Sequence, residues 1–217
     1  MGLKIILTGS TGMVGEGVLF ECLNNQAVDE VLIVNRKHYE LKHPKLKELL
    51  VSDFFQIGSF IKQIKGYDAC FYCAGISSVG LSEKEYTEIT FDTTLHFAKA
   101  LVAVNPSMVF IFVSGQNTDS TETGRIMWAR VKGKTENALG RLPFKKQYNF
   151  RPGAMLPVKE QRNSRRLYQI AAQIIHFFSP KSVLTLQEVG MAMIHLTQAA
   201  YPFHTLEIKD IKSLAKY

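Results

Sequence analysis

A glycine-rich segment near the start of the sequence has the residue types and spacing of a phosphate-binding turn. The segment Thr8–Gly15 reads TGSTGMVG, follows the apolar run Leu3–Leu7, and leads into a stretch that we expect to be helical. Gly9 would permit the tight turn, Gly12 would let the backbone approach a pyrophosphate, and Gly15 would let the helix pack on the strand. Free amides at the helix N-terminus would then face the phosphates. The alternative is a glycine-rich turn without a ligand.

The end of the second apolar run bears on which dinucleotide such a loop would bind. The run Val31–Val34 continues into Asn35-Arg36-Lys37. Domains that prefer NAD place an acid at this point for the ribose diol, whereas a guanidinium suits a 2′-phosphate. The residues therefore predict NADP(H) in preference to NAD(H), with Asn35 and Arg36 at the adenosine ribose. The alternative is that Arg36 is a solvated loop residue.

Two further segments fit the adenosine end of the same cofactor. Asp53 follows the short run Leu49–Val51 and is placed to accept a hydrogen bond from an adenine amino group. The small residues of Cys73-Ala74-Gly75 would let an adenosine lie against the backbone. Cys70 and Cys73 spell a CxxC motif, but residues three apart on a strand point to opposite faces, which argues against a redox or metal pair. The six histidines are also scattered, so we predict no metal site.

The elements that would position these residues alternate regularly along the chain. Apolar, β-branched and aromatic runs followed by turn residues predict six strands, at Leu3–Leu7, Val31–Val34, Leu49–Val51, Ala69–Cys73, Val109–Val113 and Tyr148–Phe150. The clearest helix is predicted from Leu81 to Val104, where Ser82 and Glu85 form a capping box. This alternation predicts an α/β protein with a doubly wound parallel sheet, which binds ligands at the carboxyl ends of its strands.

Together these residues resemble the atypical short-chain dehydrogenase/reductases, Rossmann proteins often described as NAD-dependent epimerase/dehydratases. The branch most similar is that of the Tat-interacting-protein-like oxidoreductases. The resemblance covers nearly the whole chain and is carried by Thr8–Gly15, Asn35-Arg36, Cys73–Gly75, Ser114, Lys132 and Arg151-Pro152-Gly153. It implies one domain over residues 1–217, in which about 154–217 contribute a small helical lobe on the substrate side.

The resemblance also implies a role for each matching position. It puts Lys132 on the nicotinamide ribose, and Asn35 and Arg36 on the adenosine ribose and its phosphate. Ala74 and Gly75 would lie beside the adenosine. The pyrophosphate would contact Ser10, Thr11, Gly12, Met13 and Val14. The cofactor-binding segment after the sixth strand would comprise Arg151, Pro152, Gly153 and Ala154, the last three along the nicotinamide.

The catalytic residues depart from the family pattern. The family delivers a proton from the tyrosine of a Tyr-x-x-x-Lys pair, whose lysine lowers the tyrosine pKa, with a serine nearby. Here Trp128 stands four residues before Lys132, and an indole N–H does not exchange a proton at neutral pH. Ser114 is followed by Gly115, where the family commonly has a second serine. An asparagine of the extended members is replaced by Thr90.

Two functions fit these observations. The first is an oxidoreductase or epimerase-like enzyme acting on a small carbonyl or sugar-related substrate, whose site contains Lys132, Ser114 and Trp128. Its proton would come from Thr118, from Ser114 or from water. The second is a catalytically silent NADP(H)-binding or redox-sensing protein that acts through a protein partner.

Composition narrows the class of protein and its expected surroundings. A hydrophobic fraction of 46% and 21% charged residues are typical of a globular chain, and the net charge of +7 suits a ligand with several phosphates. Three cysteines and a strand-like N-terminus predict a reducing cytoplasm. The longest apolar runs are too short for a membrane span.

The densest basic run, at residues 161–166, precedes a predicted helix over Leu167–Phe178. Its arginines would reach a cofactor phosphate or an anionic substrate, or would simply be solvated. The aromatics lie at the far end of the helix, so we expect no nucleic-acid binding. Analogy with the wider family suggests a homodimer through helices that flank the fourth and fifth strands.

Overall fold

The computed structural model describes residues 2–158, 161 and 182–216. Seven strands form a parallel sheet, and two more pair as a separate parallel ribbon. The strands are β1 (Leu3–Thr8), β2 (Val28–Asn35), β3 (Leu46–Leu50), β4 (Ala69–Tyr72), β5 (Val109–Val113), β6 (Lys146–Phe150), β7 (Ala154–Leu156), β8 (Val183–Thr185) and β9 (Thr205–Leu206). The sheet order is β3-β2-β1-β4-β5-β6-β9, and the ribbon is β7-β8. The predicted doubly wound parallel sheet is confirmed.

Helices connect these strands and cover both faces of the sheet. The described helices are α1 (Met13–Asn24), α2 (Ile61–Ile64), α3 (Glu83–Thr87), α4 (Thr93–Val104), α5 (Met127–Leu139), α6 (Leu186–Gln198) and α7 (Ile208–Leu214). The capping box of Ser82 and Glu85 is present, so the predicted start of this helical region is confirmed to within two residues. A π-helical turn at Glu88–Asp92 separates α3 from α4. Apolar spacing does not reveal such a turn, because it inserts a single residue into the repeat.

The strands are buried on both faces, which explains their uninterrupted apolar runs. On one face, Leu7 and Ile33 pack in a cluster with residues of α1 and α6. On the other, Ile6 and Leu32 pack with an aromatic group formed by Tyr72, Phe97, Phe110 and Phe112. A parallel sheet covered in this way projects only its strand ends into solvent, and there a ligand can reach the backbone.

The described part of the C-terminal segment completes the first of these faces. Gly17 of α1 allows close approach of Leu186, and Gly190 of α6 allows close approach of Glu21. A small lobe over 154–217 stays a prediction, since residues 159, 160 and 162–181 lie outside the described residues. The arginines of the basic run and the predicted helix Leu167–Phe178 fall there. Across the described residues, no helix is long and apolar enough to cross a membrane.

Candidate functional site: a nucleotide crevice beside an altered catalytic end

The carboxyl ends of adjacent strands bring the predicted site residues to one edge of the sheet. From β1 the chain proceeds to β2 and β3 on one side, whereas β4, β5 and β6 lie on the other. A crevice forms where the order reverses, and ligands of such sheets bind there. The residues that follow these strands are those of the glycine loop, Asn35-Arg36, Cys73–Gly75, Ser114-Gly115 and Arg151–Ala154.

Gly9 makes the turn at the switch point, as predicted. Its φ is +74°, and a Cβ atom there would lie 2.7 Å from the backbone nitrogen of Ala74. The Ala74 amide donates to the Thr8 hydroxyl over 3.1 Å, which fixes the two strand ends together. Any side chain at Gly9 would therefore separate β1 from β4.

The other two loop glycines serve different needs. A Cβ on Gly15 would overlap the Gly9 carbonyl oxygen, so the protein itself requires glycine there. A Cβ on Gly12 would meet its nearest described neighbour at 3.4 Å, and Gly12 is exposed. The first-turn amides of Met13 and Val14 have no intrahelical acceptor. This open cradle of backbone donors fits a pyrophosphate.

Gln161 was not predicted at this site. Its side-chain amide donates to the Met13 carbonyl over 2.5 Å, and its side-chain oxygen accepts from the Val158 amide over 2.8 Å. The segment after β7 is thereby tied to the first turn of α1. No local pattern signals this contact, because the two residues are 148 positions apart.

Asn35 lies at the end of β2, as predicted, and its side chain forms hydrogen bonds within the protein. It is 3% exposed, accepts from the Ser10 hydroxyl over 2.9 Å and donates to Glu48 over 3.3 Å. These bonds use the side chains of Asn35 and Ser10 inside the protein. Asn35 therefore positions the glycine loop, and its contact with the adenosine ribose stays a prediction.

Arg36 and Asp53 stay exposed beside the crevice. Arg36 follows the last residue of β2 directly, and β2 is separated from β4 by β1 alone. The Asp53 carboxylate accepts from the Phe55 amide over 2.9 Å. It caps a short 3-10 helix, Phe54–Phe60, and retains lone pairs for a further donor.

The three cysteines are unbonded. Burial raises the pKa of Cys73 to about 12, and it raises the pKa of Cys22 and Cys70 as well. Thiols of this kind are poor nucleophiles at neutral pH. Among the described residues, no group of three metal-ligating side chains comes together.

Lys132 is on α5, and its side chain reaches the carboxyl end of β5. Its ammonium donates to the Ser114 carbonyl oxygen. Burial lowers the pKa of Lys132 to about 8, against an opposing effect of the Glu136 charge. A lysine in this state is mostly protonated at neutral pH and gives up its proton far more readily than one on the surface.

A buried network lies behind Lys132. The Ser114 hydroxyl donates to Glu136 over 2.5 Å, and Glu136 forms an ion pair with Arg151. Arg151 also contacts Glu207 at 3.5 Å and donates to Ser120 over 2.6 Å. The side chains of Ser114 and Arg151 are used within the protein, so any contact of Arg151 with a cofactor is left to its backbone. Glu136 was not predicted, although it stands one turn after Lys132 on the same helix.

Residue 115, next to the Lys132 ammonium, is a glycine. A Cβ on Gly115 would have the Lys132 nitrogen as its nearest neighbour, at 3.9 Å. The φ of Gly115 is +148°, which disfavours other residues. Trp128 lies in the first turn of α5, one turn before Lys132 and therefore on the same side of the helix. The Thr118 hydroxyl donates to the Gly115 carbonyl over 2.7 Å.

The segment after β6 approaches this end through its backbone. The Pro152 carbonyl accepts from the Gln116 amide over 2.9 Å. A Cβ on Gly153 would lie 2.7 Å from the Gln116 side-chain oxygen, so glycine allows the two loops to pack. Ala154 begins β7 and is half-buried.

Comparison with known proteins agrees with this geometry. The model of the NAD dependent epimerase/dehydratase family matches residues 5–124. The chain is 26% identical to "Protein FMP52-2, mitochondrial" of Scheffersomyces stipitis over all of this chain and 99% of that protein. It is 27% identical to "Leucinostatins biosynthesis cluster protein T" of Purpureocillium lilacinum over 81% of this chain and 66% of that protein. It is 22% identical to "Protein HTATIP2" of Rattus norvegicus, over 70% of this chain and 63% of that protein.

A solved structure shows the same fold at lower identity. The 3-oxoacyl-[acyl-carrier protein] reductase of Brucella melitensis, in complex with NAD, superposes with a TM-score of 0.71 at 15% identity. The match covers 100% of this chain and 98% of that one. It supports the arrangement of the sheet and its helices.

The relatives also correct one expectation. Four of them, all of the FMP52 group, are named mitochondrial, so the predicted cytoplasmic location is wrong by this comparison. Reduced cysteines indicate a redox environment, and that environment does not separate the cytoplasm from other reducing compartments.

The family match includes β1 and β4, between which the strand order reverses, together with the glycine loop. It also includes the end of β5, where Ser114 lies. The parallel sheet and the backbone cradle are the features that the family would require. This chain belongs to the NAD dependent epimerase/dehydratase family.

Proposed function

We propose that this chain is an NADP(H)-dependent oxidoreductase, acting on a small carbonyl or sugar-related substrate, in which Lys132 replaces the usual tyrosine as the proton donor. The observation that carries the proposal is the position of the Lys132 ammonium. It lies beside the carboxyl end of β5, next to Gly115. The glycine cradle lies at the same edge of the sheet.

The cofactor side of the proposal rests on residues that fit a dinucleotide. The amides of Met13 and Val14 would hold the pyrophosphate, and Cys73, Ala74 and Gly75 would leave room for the adenosine. Arg36 would pair with a 2′-phosphate, since it is exposed and no acid follows β2 directly. When bound, the nicotinamide would supply or accept a hydride.

Elimination supports Lys132 as the proton carrier. The Ser114 hydroxyl donates to Glu136, and the Thr118 hydroxyl donates to the Gly115 carbonyl. The indole of Trp128 does not exchange a proton near neutral pH. The Lys132 ammonium has three N–H bonds and gives one to the Ser114 carbonyl, so two stay available to a substrate oxygen.

The pH dependence of turnover tests this assignment. With NADPH and a panel of aldehydes, ketones and sugar-derived carbonyls, kcat/KM for reduction should fall above about pH 8, as Lys132 loses its proton. Lys132→Met should reduce kcat by about 100-fold or more. Lys132→Arg keeps the charge, but a guanidinium does not give up a proton near neutral pH, so kcat should fall by a similar factor and no decline near pH 8 should be left.

Lys99→Met is the matched control, because Lys99 is an exposed lysine on α4. It should leave both rate and pH profile unchanged. Turnover that persists in Lys132→Met with the same profile would assign the proton to another group.

One observation favours the second function, a silent NADP(H)-binding protein. Trp128 occupies the position of the family's proton donor, beside the lysine that would hold the ribose. Under this alternative, cofactor binds without turnover on any carbonyl, and Trp128→Tyr gains activity. Activity in the unmodified chain would rule it out.

A further inference from the structure

A second concave surface lies at the opposite edge of the sheet from the nucleotide crevice. This lysine groove has a volume of about 570 Å³ and lies between the first residues of β1 to β3 and the segment around α2. Its basic lining residues are Lys4, Lys47, Lys62 and Lys65. Lys4 is the second residue of β1, and Gly9 follows the last one, so the two positions are roughly 15–17 Å apart along the strand. The groove and the crevice share no residue.

Strand register explains why these side chains converge. Lys4 pairs with Glu30, and Leu32 pairs with Lys47. Side chains two apart on a strand share a face, so Lys4 lies on the face of Ile6, and Lys47 on that of Leu49. Ile6, Leu32 and Leu49 all belong to the cluster with α4. The groove is therefore a basic rim around an apolar floor.

The acids at this surface do not neutralise the rim. Glu30 contacts Lys47 at 2.7 Å and accepts from the Tyr67 hydroxyl over 2.6 Å. Burial would raise the pKa of Glu30, but Lys47, Tyr67 and Lys4 hold it below its ordinary value. Glu30 is thus a paired carboxylate that offsets one positive charge.

The other two acids are engaged elsewhere. Glu48 also lines the groove, but its side chain lies on the other face of β3 from Lys47 and Leu49. There its carboxylate accepts from Asn35 and from the Tyr39 amide over 2.9 Å and contacts His38. Asp68 accepts from the Lys4 backbone amide over 2.8 Å and does not line the groove.

Three ammonium groups are left without an ion-pair partner among the described residues. They belong to Lys4, Lys62 and Lys65. All three are exposed and lie around one concavity. Concentrating like charge around an apolar floor costs free energy that an anionic ligand would recover. The volume lies in the range of small-molecule sites.

We propose that the lysine groove binds a small molecule that carries a di- or triphosphate group. The four lysines of the groove outnumber its two carboxylates, Glu30 and Glu48, so the lining has a surplus of positive charge that suits a polyphosphate. Lysines act as point charges that tolerate different phosphate geometries. The floor formed by Leu32, Leu49 and the Tyr67 ring would contact the organic part of the ligand.

Calorimetry with inorganic tripolyphosphate tests the proposal. The full chain is first saturated with NADP+, so that the glycine cradle cannot contribute. We expect one equivalent of tripolyphosphate to bind. Lys62→Gln/Lys65→Gln should weaken it by about 10-fold or more.

Lys84→Gln/Lys99→Gln is the matched control, because it removes the same charge from exposed positions on α3 and α4. It should bind as the unmodified chain does. Equal weakening in both variants would show a general charge effect, and no binding to the unmodified chain would show that there is no site. Binding that is seen only in a parallel titration without NADP+ would show that the anion had occupied the cradle. Each of these three results would overturn the proposal, and thermal unfolding of both variants checks that the fold is kept.

Discussion

The two ends of the crevice differ in how closely their residues match the family pattern. At the cofactor end, Gly9 and Gly15 are required by the protein's own backbone, since a side chain at either would collide with it. At the catalytic end, Trp128 and Gly115 depart from the family pattern, yet the strand and helix that carry them are in place. Packing therefore constrains the glycine loop even without a ligand, whereas the catalytic positions can change without loss of fold.

The catalytic end has its own source of stability. Ser114, Glu136 and Arg151 form a buried network that depends on neither Trp128 nor Gly115. This network explains how the helix and strand keep their relative positions after the reactive side chains have changed.

Breaking that network should give the largest effect. Glu136→Gln leaves Arg151 buried with its main partner uncharged, and we expect the free energy of unfolding to fall by about 3 kcal/mol. Urea denaturation measures the change. Glu83→Gln is the control, because its ion pair with Arg130 at 2.7 Å is exposed. It should change stability by less than about 1 kcal/mol. Similar losses in both variants would refute a structural role for the buried pair.

At the cofactor end, the loop glycines should separate packing from binding. Gly15→Ala forces the Gly9 carbonyl to move, and we expect NADPH affinity to fall by about 100-fold together with the melting temperature. Gly12→Ala should lower affinity while leaving the melting temperature unchanged. Calorimetry and thermal unfolding measure the two quantities.

Gly58→Ala is the control for both glycine variants, because a Cβ there meets nothing within 4 Å. It should behave as the unmodified chain. Unchanged NADPH affinity in Gly15→Ala would contradict the assignment of the cradle.

Arg36 tests the selectivity of the cofactor end between NADPH and NADH, without involving the catalytic end. Arg36→Ala should weaken NADPH binding by about 10-fold while changing NADH binding little, because only NADPH carries the 2′-phosphate. Parallel titrations with both nucleotides measure the ratio. Equal weakening of both would remove the basis for a preference for NADP(H).

The last expected effect concerns stability at alkaline pH. The pKa of Lys132 is lower in the folded chain than the ordinary value of 10.5, so between about pH 8 and 10.5 the unfolded chain binds more protons. The contribution of Lys132 to stability is therefore unfavourable below about pH 8 and becomes less unfavourable as the pH rises over this window. Lys132→Met should remove that contribution, measured as the difference from the unmodified chain in urea denaturation at pH 7.5 and 9.5. Identical differences at both pH values would show that the lysine is not shifted.

The sequence predicted the sheet because its strands are buried on both faces and therefore uniformly apolar. All six predicted strands are present. The strands β2, β3 and β6 begin earlier than expected, since their first residues include polar ones. The strands β7, β8 and β9 have only two or three residues and carry no periodic signal. The helix α7 was also not predicted, whereas α6 contains His195, which we expected to lie in an apolar helix.

Side-chain roles were harder to predict than positions. Asn35 occupies the expected place, yet its amide is consumed by Ser10 and Glu48, a contact that only the folded sheet creates. Glu136 and Gln161 were missed because their partners are distant in sequence. Backbone requirements leave a glycine pattern in the sequence, whereas long-range polar contacts leave no comparable pattern.

The most direct measurement uses Trp128, the only tryptophan of the chain. NADPH and NADH are titrated separately while its emission is followed, with calorimetry in parallel. If the glycine loop binds the cofactor and Trp128 lies beside it, the Trp128 emission should be quenched to saturation. Quenching should occur at lower concentrations of NADPH than of NADH. Absence of both heat and quenching would contradict the account, because the backbone cradle of the glycine loop would then bind no dinucleotide.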